Sequence, residues 1–207
     1  MYKIAVLVSG GGTNLQAIID AIENEYLRCE ISIVISDRND AYAIQRAENK
    51  GIKTEIVSRK EFKVGLSDKI DELIPQDVNL IVLAGFLSIL KGKIIERFKN
   101  RIINVHPSLI PAFCGDGMYG IKVHQAAVNY GVKLSGSTVH IVDSGTDSGP
   151  IVLQKAVEVD CNDTAEDLQK KILKYEHQIF VEAIKCFSEN RINVNGRVVE
   201  IKKEVHK

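Results

Sequence analysis

The sequence lacks three features that each mark a broad class of protein: an excess of one charge, a long apolar run and a cluster of cysteines. Lys plus Arg and Asp plus Glu number 27 each in 207 residues, so the formal net charge is zero. Without a general positive field the chain has little to attract a polyanion. We therefore expect small-molecule substrates and no nucleic-acid partner.

The first apolar run, Ile4 to Val8, is too short for a membrane span or a signal sequence and leads straight into glycines. It is typical of a buried strand, and we expect no membrane association. The four cysteines lie far apart and form no CxxC pair, which favours reduced thiols over a disulfide or zinc framework. These features predict a cytoplasmic protein without a metal.

Strand-length apolar runs alternate with segments of helical periodicity in the first half. The runs IAVLV, ISIVIS and NLIVLA are continuously apolar, as expected for parallel strands covered on both faces. Helices are predicted at about 41–50, 67–74 and 91–99, and a further strand at 53–57. The rhythm predicts an α/β fold with a doubly wound, mostly parallel sheet of Rossmann-like type, in a single domain over residues 1–207.

The second half has a different pattern. A short helix is predicted at about 122–130, followed by strands at about 134–142 and 151–159 that flank the acidic loop DSGTDSGP. Thr164 is a suitable N-cap for a long helix over about 165–190, and Asn195-Gly196 is a strong hairpin signal. The sheet is therefore expected to be mixed towards the C-terminus.

The segment SGGGTN, Ser9 to Asn14, joins the first strand to the first helix. Backbone amides of a glycine turn and of a helix start attract anions, so a phosphate site is expected. Leu15 occupies the third glycine position of GxGxxG, and GK[ST] is absent, which favours one phosphate over a pyrophosphate. A compatible alternative is that Thr13 and Gln16 form a capping box.

In IINVHPSLIP, residues 102–111, Asn104 and His106 share one strand face just before a proline that ends the strand. Ligands of open α/β sheets bind at the carboxyl ends of strands, so Asn104 is a candidate oxyanion donor and His106 a candidate proton donor. The alternative is that both satisfy loop backbone. We assign structural roles to His124 and His140.

Two acids are less informative by themselves. Asp147 lies in a Gly- and Ser-rich loop that ordinarily holds solvated acids. Glu176 lies on an apolar stripe of the long helix, four residues from Ile172 and from Phe180, where a carboxylate needs a partner or reaches towards solvent.

Taken together, the motifs resemble the folate-dependent formyltransferase family, and within it the members that formylate glycinamide ribonucleotide in purine synthesis. The resemblance rests on SGGGTNLQAII, LAGFLSIL, INVHPSLIPAF, SGSTVHIVDSGTDSGPIVLQ and YEHQIF, which occur in this order over nearly the whole chain. It implies 10-formyltetrahydrofolate as cosubstrate.

The resemblance also implies roles for individual residues. Glycinamide ribonucleotide would be held by Gly12, Thr13, Asn14 and Glu176. The folate would contact Leu87, Ser88, Ile89, Leu90, Asn104, Val142 and Asp147. The catalytic group would be Asn104, His106 and Asp147, and because a carboxylate favours imidazolium we expect Asp147 to raise the pKa of His106 and keep its ring charged.

The sequence is also compatible with other functions. They are a formyltransferase acting on another amine, a formyltetrahydrofolate deformylase, a nicotinamide-dependent oxidoreductase and a non-catalytic nucleotide-binding module. Residues 87–90 read LSIL where many relatives have Met-Arg-Ile-Leu, so how the folate's acidic tail would be held without that arginine is left open. Contacts from Arg59, Lys60 or Lys63, the part played by the loop 114–121, and a homodimer are left open.

Overall fold

The structure is a computed structural model and describes residues 1–203. The strands are β1 (Tyr2–Val8), β2 (Cys29–Ser36), β3 (Thr54–Ile56), β4 (Leu80–Leu83), β5 (Ile102–His106), β6 (Leu134–Ile141), β7 (Ile151–Glu158), β8 (Ile192–Asn195) and β9 (Val198–Ile201). The α-helices are α1 (Thr13–Glu23), α2 (Tyr42–Glu48), α3 (Arg59–Phe62), α4 (Leu66–Leu73), α5 (Lys93–Arg97), α6 (Ile121–Tyr130) and α7 (Ala165–Ser188), with a 3-10 turn at Lys63–Gly65.

The strand order β3-β2-β1-β4-β5-β6-β7 confirms the predicted α/β class. Pairings of β1 with β2 and β4, of β2 with β3 and of β4 with β5 are parallel, whereas β6 pairs antiparallel with β7. The chain forms two compact units, Met1–Asn104 and the part from Val105 onward. The single domain stays a prediction.

The first unit is built on strands buried on both faces. Every residue from Ile4 to Val8 is fully buried, as are Leu80, Ile81 and Val82 on the neighbouring β4. Strand order reverses between β1 and β4, which creates a crevice at their carboxyl ends. The loops that follow these two strands carry the predicted phosphate and folate segments.

The second unit packs the long helix α7 against α6, β6 and β7. A small apolar cluster of Ala127, Val157, Leu168 and Ile172 lies at this contact. The predicted hairpin is confirmed as β8 and β9, although its two tip residues are Gly196 and Arg197, one position later than the Asn-Gly pair, since Asn195 pairs with Val198.

Most helix and strand boundaries differ from prediction by one to three residues. The predicted helix 91–99 is the shorter α5, because the Lys91 amide donates to Ser67 Oγ and Gly92 has a φ of 73°. The short α3 lacks a clear sequence signal and was not predicted. These differences fall at ends, where tertiary hydrogen bonds compete with local propensity.

The N-terminus of α7 provides a stability prediction. Thr164 accepts the Asp167 amide and Asp167 accepts the Thr164 amide, a complete capping box, as expected for Thr164 as N-cap. Thr164→Ala should lower the free energy of unfolding by about 1 kcal/mol, measured by urea denaturation. The matched variant Ser188→Ala removes only a hydroxyl donor to Lys185 O at the other end and should cost less than about 0.5 kcal/mol. Equal costs would contradict the capping role.

Candidate active site

The glycine loop after β1 is hydrogen-bonded to α2. Gly10 O accepts the Ala43 amide at 3.0 Å, and Gly11 O accepts Arg46 Nε at 2.8 Å. Gly12 has a left-handed φ of 73°, and a Cβ there would lie 2.6 Å from Ala43 Cβ. Only glycine fits this position, because both the backbone conformation and the space exclude a side chain.

The capping-box alternative for Thr13 and Gln16 is wrong. The N-cap of α1 is Gly12, Thr13 is the first helical residue, and among the described residues no side chain caps this helix start. The Gln16 side chain instead donates to Asp20 and accepts from Arg46. The N–H groups of a helix start attract anions, and the Arg46 guanidinium lies beside the loop. Asn14 in this turn is buried.

The predicted folate segment, residues 87–90, is fixed at its start by two side chains of the first unit. The Leu87 amide donates to Ser9 Oγ at 2.7 Å, and Ser88 Oγ donates to Asp37 Oδ2 at 2.5 Å. Leu87 and Ile89 are 44% and 49% exposed, whereas Leu90 is buried. Two exposed apolar side chains in one short segment suit an aromatic ligand face.

Of Arg59, Lys60 and Lys63, Arg59 is linked to the folate segment through Asp37, which binds Ser88. Arg59 begins α3, and its amide donates to Asp37 O at 3.0 Å. Lys60 follows in α3, and Lys63 lies in the 3-10 turn with a φ of 45°. Within the segment, the Ser88 hydroxyl donates to the Asp37 carboxylate.

The end of β5 carries Asn104 and His106, as predicted. Asn104 is half-buried, and His106 is 4% exposed. In His106, Nε2–H donates to Phe113 O at 2.9 Å, and Nδ1 lies 3.6 Å from Asp147 Oδ2. The ring is thus held on one side by backbone while its other nitrogen faces a carboxylate, which fixes its orientation.

The second unit brings a further histidine to Asp147 that the sequence analysis missed. His140 Nδ1–H donates to Ile141 O at 3.0 Å, and its Nε2 lies 3.5 Å from Asp147 Oδ1. Asp147 Oδ2 also accepts the Gly115 amide at 3.0 Å. The available signal was a histidine near the end of a strand that leads directly into the acidic loop.

The surroundings of Asp147 favour its ionised form. Burial alone raises the pKa of this carboxyl, but hydrogen bonds with His140 and the Gly115 amide, and the attraction of the His106 and His140 rings when they are protonated, hold the pKa below its usual value. Its φ of 52° is left-handed, which costs energy for a non-glycine residue. The surrounding contacts therefore fix both its backbone and its charge.

The prediction that His106 has a raised pKa and a charged ring is wrong. Burial lowers the pKa of His106 below its ordinary 6.5 and outweighs the hydrogen bond with Phe113 and the attraction of Asp147, which both raise it. Asp147 thus raises the pKa of His106 as predicted, but burial lowers it by more. The ring is largely neutral at pH 7.

The loop that contains Asp147 is braced by its neighbours. Asp143 Oδ1 accepts Ser148 Oγ at 2.6 Å and the Gly145 amide at 3.0 Å. From the β8–β9 hairpin, Arg197 donates to Ser148 O at 2.8 Å. Because Gly149 packs its Cα against Ile141 O, a larger residue does not fit there. These contacts therefore fix the turn that holds the Asp147 carboxylate.

Two further loops contribute to the surroundings of Asp147 and His106. The loop 114–121, whose part was left open, contributes the Gly115 amide to Asp147 and Asp116 as acceptor for Thr146. The segment after His106 is held by Thr138, which accepts the Ile110 amide at 3.1 Å and donates to Ser108 O at 2.7 Å.

The two remaining predicted site residues are Glu176 and Val142. Glu176 is 9% exposed on α7, so the acid on the apolar stripe is buried and does not reach solvent. Val142 is half-buried just after β6. Within residues 1–203 no group of three or more His, Cys, Asp or Glu side chains is placed to hold a metal ion, and no described helix has the length and apolarity of a membrane span.

Comparison with known proteins assigns the family. A family model described as formyl transferase matches residues 2–184. This match covers well over half of the chain, and the chain therefore belongs to the formyl transferase family.

The similar proteins include named phosphoribosylglycinamide formyltransferases. The chain is 41% identical over 201 residues to the phosphoribosylglycinamide formyltransferase of Haemophilus influenzae, covering 96% of this chain and 92% of that protein. It is 39% identical to the chloroplastic phosphoribosylglycinamide formyltransferase of Vigna unguiculata, covering 92% of this chain but only 62% of that protein's length. The crystal structure of glycinamide ribonucleotide transformylase 1 from Symbiobacterium toebii superposes with a TM-score of 0.87 at 41% identity, covering 98% and 95% of the two chains.

A formyltetrahydrofolate deformylase is a more distant neighbour. The crystal structure of that enzyme from Pseudomonas putida superposes with a TM-score of 0.84 at 26% identity, and the alignment covers 97% of this chain and 70% of that chain. The shared fold therefore does not separate the two activities, whereas the sequence identity to this deformylase is lower than the 41% to the named transferases.

The glycine loop yields a prediction about folding. Gly12→Ala should lower the free energy of unfolding by about 2 kcal/mol or more, because it adds a strained φ and an overlap with Ala43. Gly10→Ala is the matched control, since nothing lies within 4 Å of its added Cβ, and it should change stability by less than about 0.5 kcal/mol. Urea denaturation of both variants measures the difference. A Gly12→Ala protein as stable as the Gly10→Ala protein would show that this loop conformation is wrong.

His124 yields a prediction about pH. Burial, and secondarily the positive charge of His106, lower its pKa to about 4. Because the unfolded state then binds more protons between pH 6.5 and 4, folding stability should fall as pH falls through this window. His124→Gln should reduce that loss by on the order of 2 kcal/mol, measured by urea denaturation at pH 7.5 and 4.5. Parallel stability curves for both proteins would contradict the buried neutral ring.

Proposed function

We propose that the chain transfers the formyl group of 10-formyltetrahydrofolate to the amine of glycinamide ribonucleotide in purine biosynthesis. The products are formylglycinamide ribonucleotide and tetrahydrofolate. The observation that carries the proposal is the 41% identity to a named phosphoribosylglycinamide formyltransferase over 96% of this chain and 92% of that protein. The His106–Asp147 pair supplies the acid–base chemistry that such a transfer needs.

The proposed substrate contacts follow the two units. In the first, the amides of Gly12, Thr13 and Asn14 bind the phosphate, because the N–H groups of a glycine turn and a helix start attract anions. Exposed Leu87 and Ile89 cover a face of the pterin, with Ser88 and Leu90 completing the segment. In the second, Glu176 binds the glycinamide end and Val142 lies beside the folate.

The proposed reaction is a direct attack of the neutral amine on the formyl carbon. As the tetrahedral intermediate forms, the formyl oxygen becomes negative and Asn104 donates a hydrogen bond to it. The attacking nitrogen loses one proton and the departing folate nitrogen gains one. His106 is neutral at the start because of its burial, and its Nε2 hydrogen is donated to Phe113 O. Nδ1 therefore takes the first proton and returns it to the leaving nitrogen.

Asp147 stabilises the imidazolium that exists only during this transfer. Its ionised carboxylate faces Nδ1 of His106 at 3.6 Å, and a negative charge at that distance favours the charged ring. Holding the two substrates together should supply much of the remaining rate enhancement. No acyl-enzyme is required.

The remaining general properties follow from the same proposal. The substrates are soluble metabolites, and the four cysteines are free thiols. We place the protein in the cytoplasm, with 10-formyltetrahydrofolate as a cosubstrate and no metal required for the proposed chemistry.

A spectrophotometric assay of purified protein tests the function. Consumption of 10-formyltetrahydrofolate should require glycinamide ribonucleotide and should not occur with an amino-sugar nucleotide or without an amine. Consumption without any amine would identify a deformylase, and transfer only to the amino-sugar nucleotide would identify a different formyltransferase. Either result would overturn the proposal.

The mechanism predicts the effects of two substitutions. His106→Asn should lower kcat by about 100-fold or more, whereas His124→Gln, a buried histidine outside the proposed chemistry, should keep kcat within about twofold at pH 7. Asp147→Asn should lower kcat by about tenfold or more because the transient imidazolium loses its counter-charge.

The pH profile separates these roles. Since neutral His106 accepts the proton, kcat/KM should fall as pH falls through its pKa, which lies below 6.5. Asp147 raises that pKa, so Asp147→Asn should move the acid limb to lower pH. Near-normal turnover of folded His106→Asn, or an acid limb that moves to higher pH in Asp147→Asn, would contradict the mechanism.

A further inference from the structure

Ser9 joins two segments to which the proposed function assigns different substrates. It directly precedes the glycine loop and is only 1% exposed. Its Oγ accepts the Leu87 amide at 2.7 Å, at the first residue of the folate segment. One buried hydroxyl therefore connects the loop for the ribonucleotide phosphate with the backbone that contacts the folate.

The other anchors of the folate segment do not involve the glycine loop. Ser88 is bound by Asp37, which follows β2, and the Lys91 amide is bound by Ser67 Oγ of α4 at 3.0 Å. Ser67 and Ser9 are chemically equivalent anchors, since each is a buried serine that accepts a backbone amide at one end of the same segment. They differ in that only Ser9 is continuous with the phosphate loop.

We infer that Ser9 is a positioning residue that couples the two substrate sites, so that each substrate binds more tightly when the other is present. This inference rests on the proposed function. An anion on the first-turn amides of α1 fixes the glycine loop and with it Ser9. Ser9 then fixes the Leu87 amide, and with it the exposed side chains that meet the folate. By linkage the effect is reciprocal.

Isothermal titration calorimetry on the full chain tests the coupling directly. Glycinamide ribonucleotide is titrated into the protein with and without saturating tetrahydrofolate, which has no formyl group to transfer. We expect its Kd to be about fivefold or more lower in the presence of tetrahydrofolate, and the reverse titration to give the same factor.

Two matched variants locate the coupling. Ser9→Ala should bring the factor close to one, because the Leu87 amide loses its acceptor on the glycine loop. Ser67→Ala also removes a serine acceptor from the segment, and both variants should weaken tetrahydrofolate binding. Only Ser67→Ala should keep the native coupling factor.

The outcomes separate this inference from the function on which it rests. If native protein binds both ligands but with independent affinities, the coupling is wrong while the proposed substrates stand, whether or not Ser9→Ala folds. A factor lost equally in Ser9→Ala and Ser67→Ala would overturn the assignment to Ser9. If native protein binds neither ligand, the proposed function fails and the coupling fails with it.

Discussion

The need to compensate one largely buried carboxylate organises the second unit. The Asp147 side chain is only 12% exposed, and an ionised carboxylate at such a position is stable only if donors surround it. The Gly115 amide donates to Asp147, His140 from β6 hydrogen-bonds with it, and the His106 ring from the end of β5 lies beside it. Three distant parts of the chain must therefore meet at this point.

The same arrangement determines what His106 can do. Burial lowers its pKa, and Asp147 opposes that effect without overcoming it. A ring that is neutral before the reaction and faces a carboxylate can accept a proton and release it again within one reaction. His140, held by Ile141 O, contributes to keeping Asp147 ionised, so the acid does not compete with His106 for the transferred proton.

Local patterns predicted the fold and the strand-borne residues. Continuous apolar runs correctly indicated buried parallel strands, and Thr164 correctly indicated a helix start, because both depend on neighbours in sequence. Asn104 and His106 were recognisable because strand periodicity and the following proline fix their placement.

Features that depend on tertiary contacts were not predictable in this way. His140 was assigned a structural role because only the fold brings it to Asp147, and the Thr13–Gln16 capping box fails because α2 supplies Arg46 to Gln16. The prediction of a charged His106 is also wrong, because the sequence shows the acidic Asp147 but not how deeply the ring is buried.

The most direct test of this account is an NMR titration of the His106 imidazole in the free protein, with its resonances assigned by comparison with His106→Asn. The account predicts a pKa below 6.5 and, at pH 7, a neutral ring with its proton on Nε2, the nitrogen that donates to Phe113 O. A pKa above 6.5, or a neutral ring protonated on Nδ1, would contradict it.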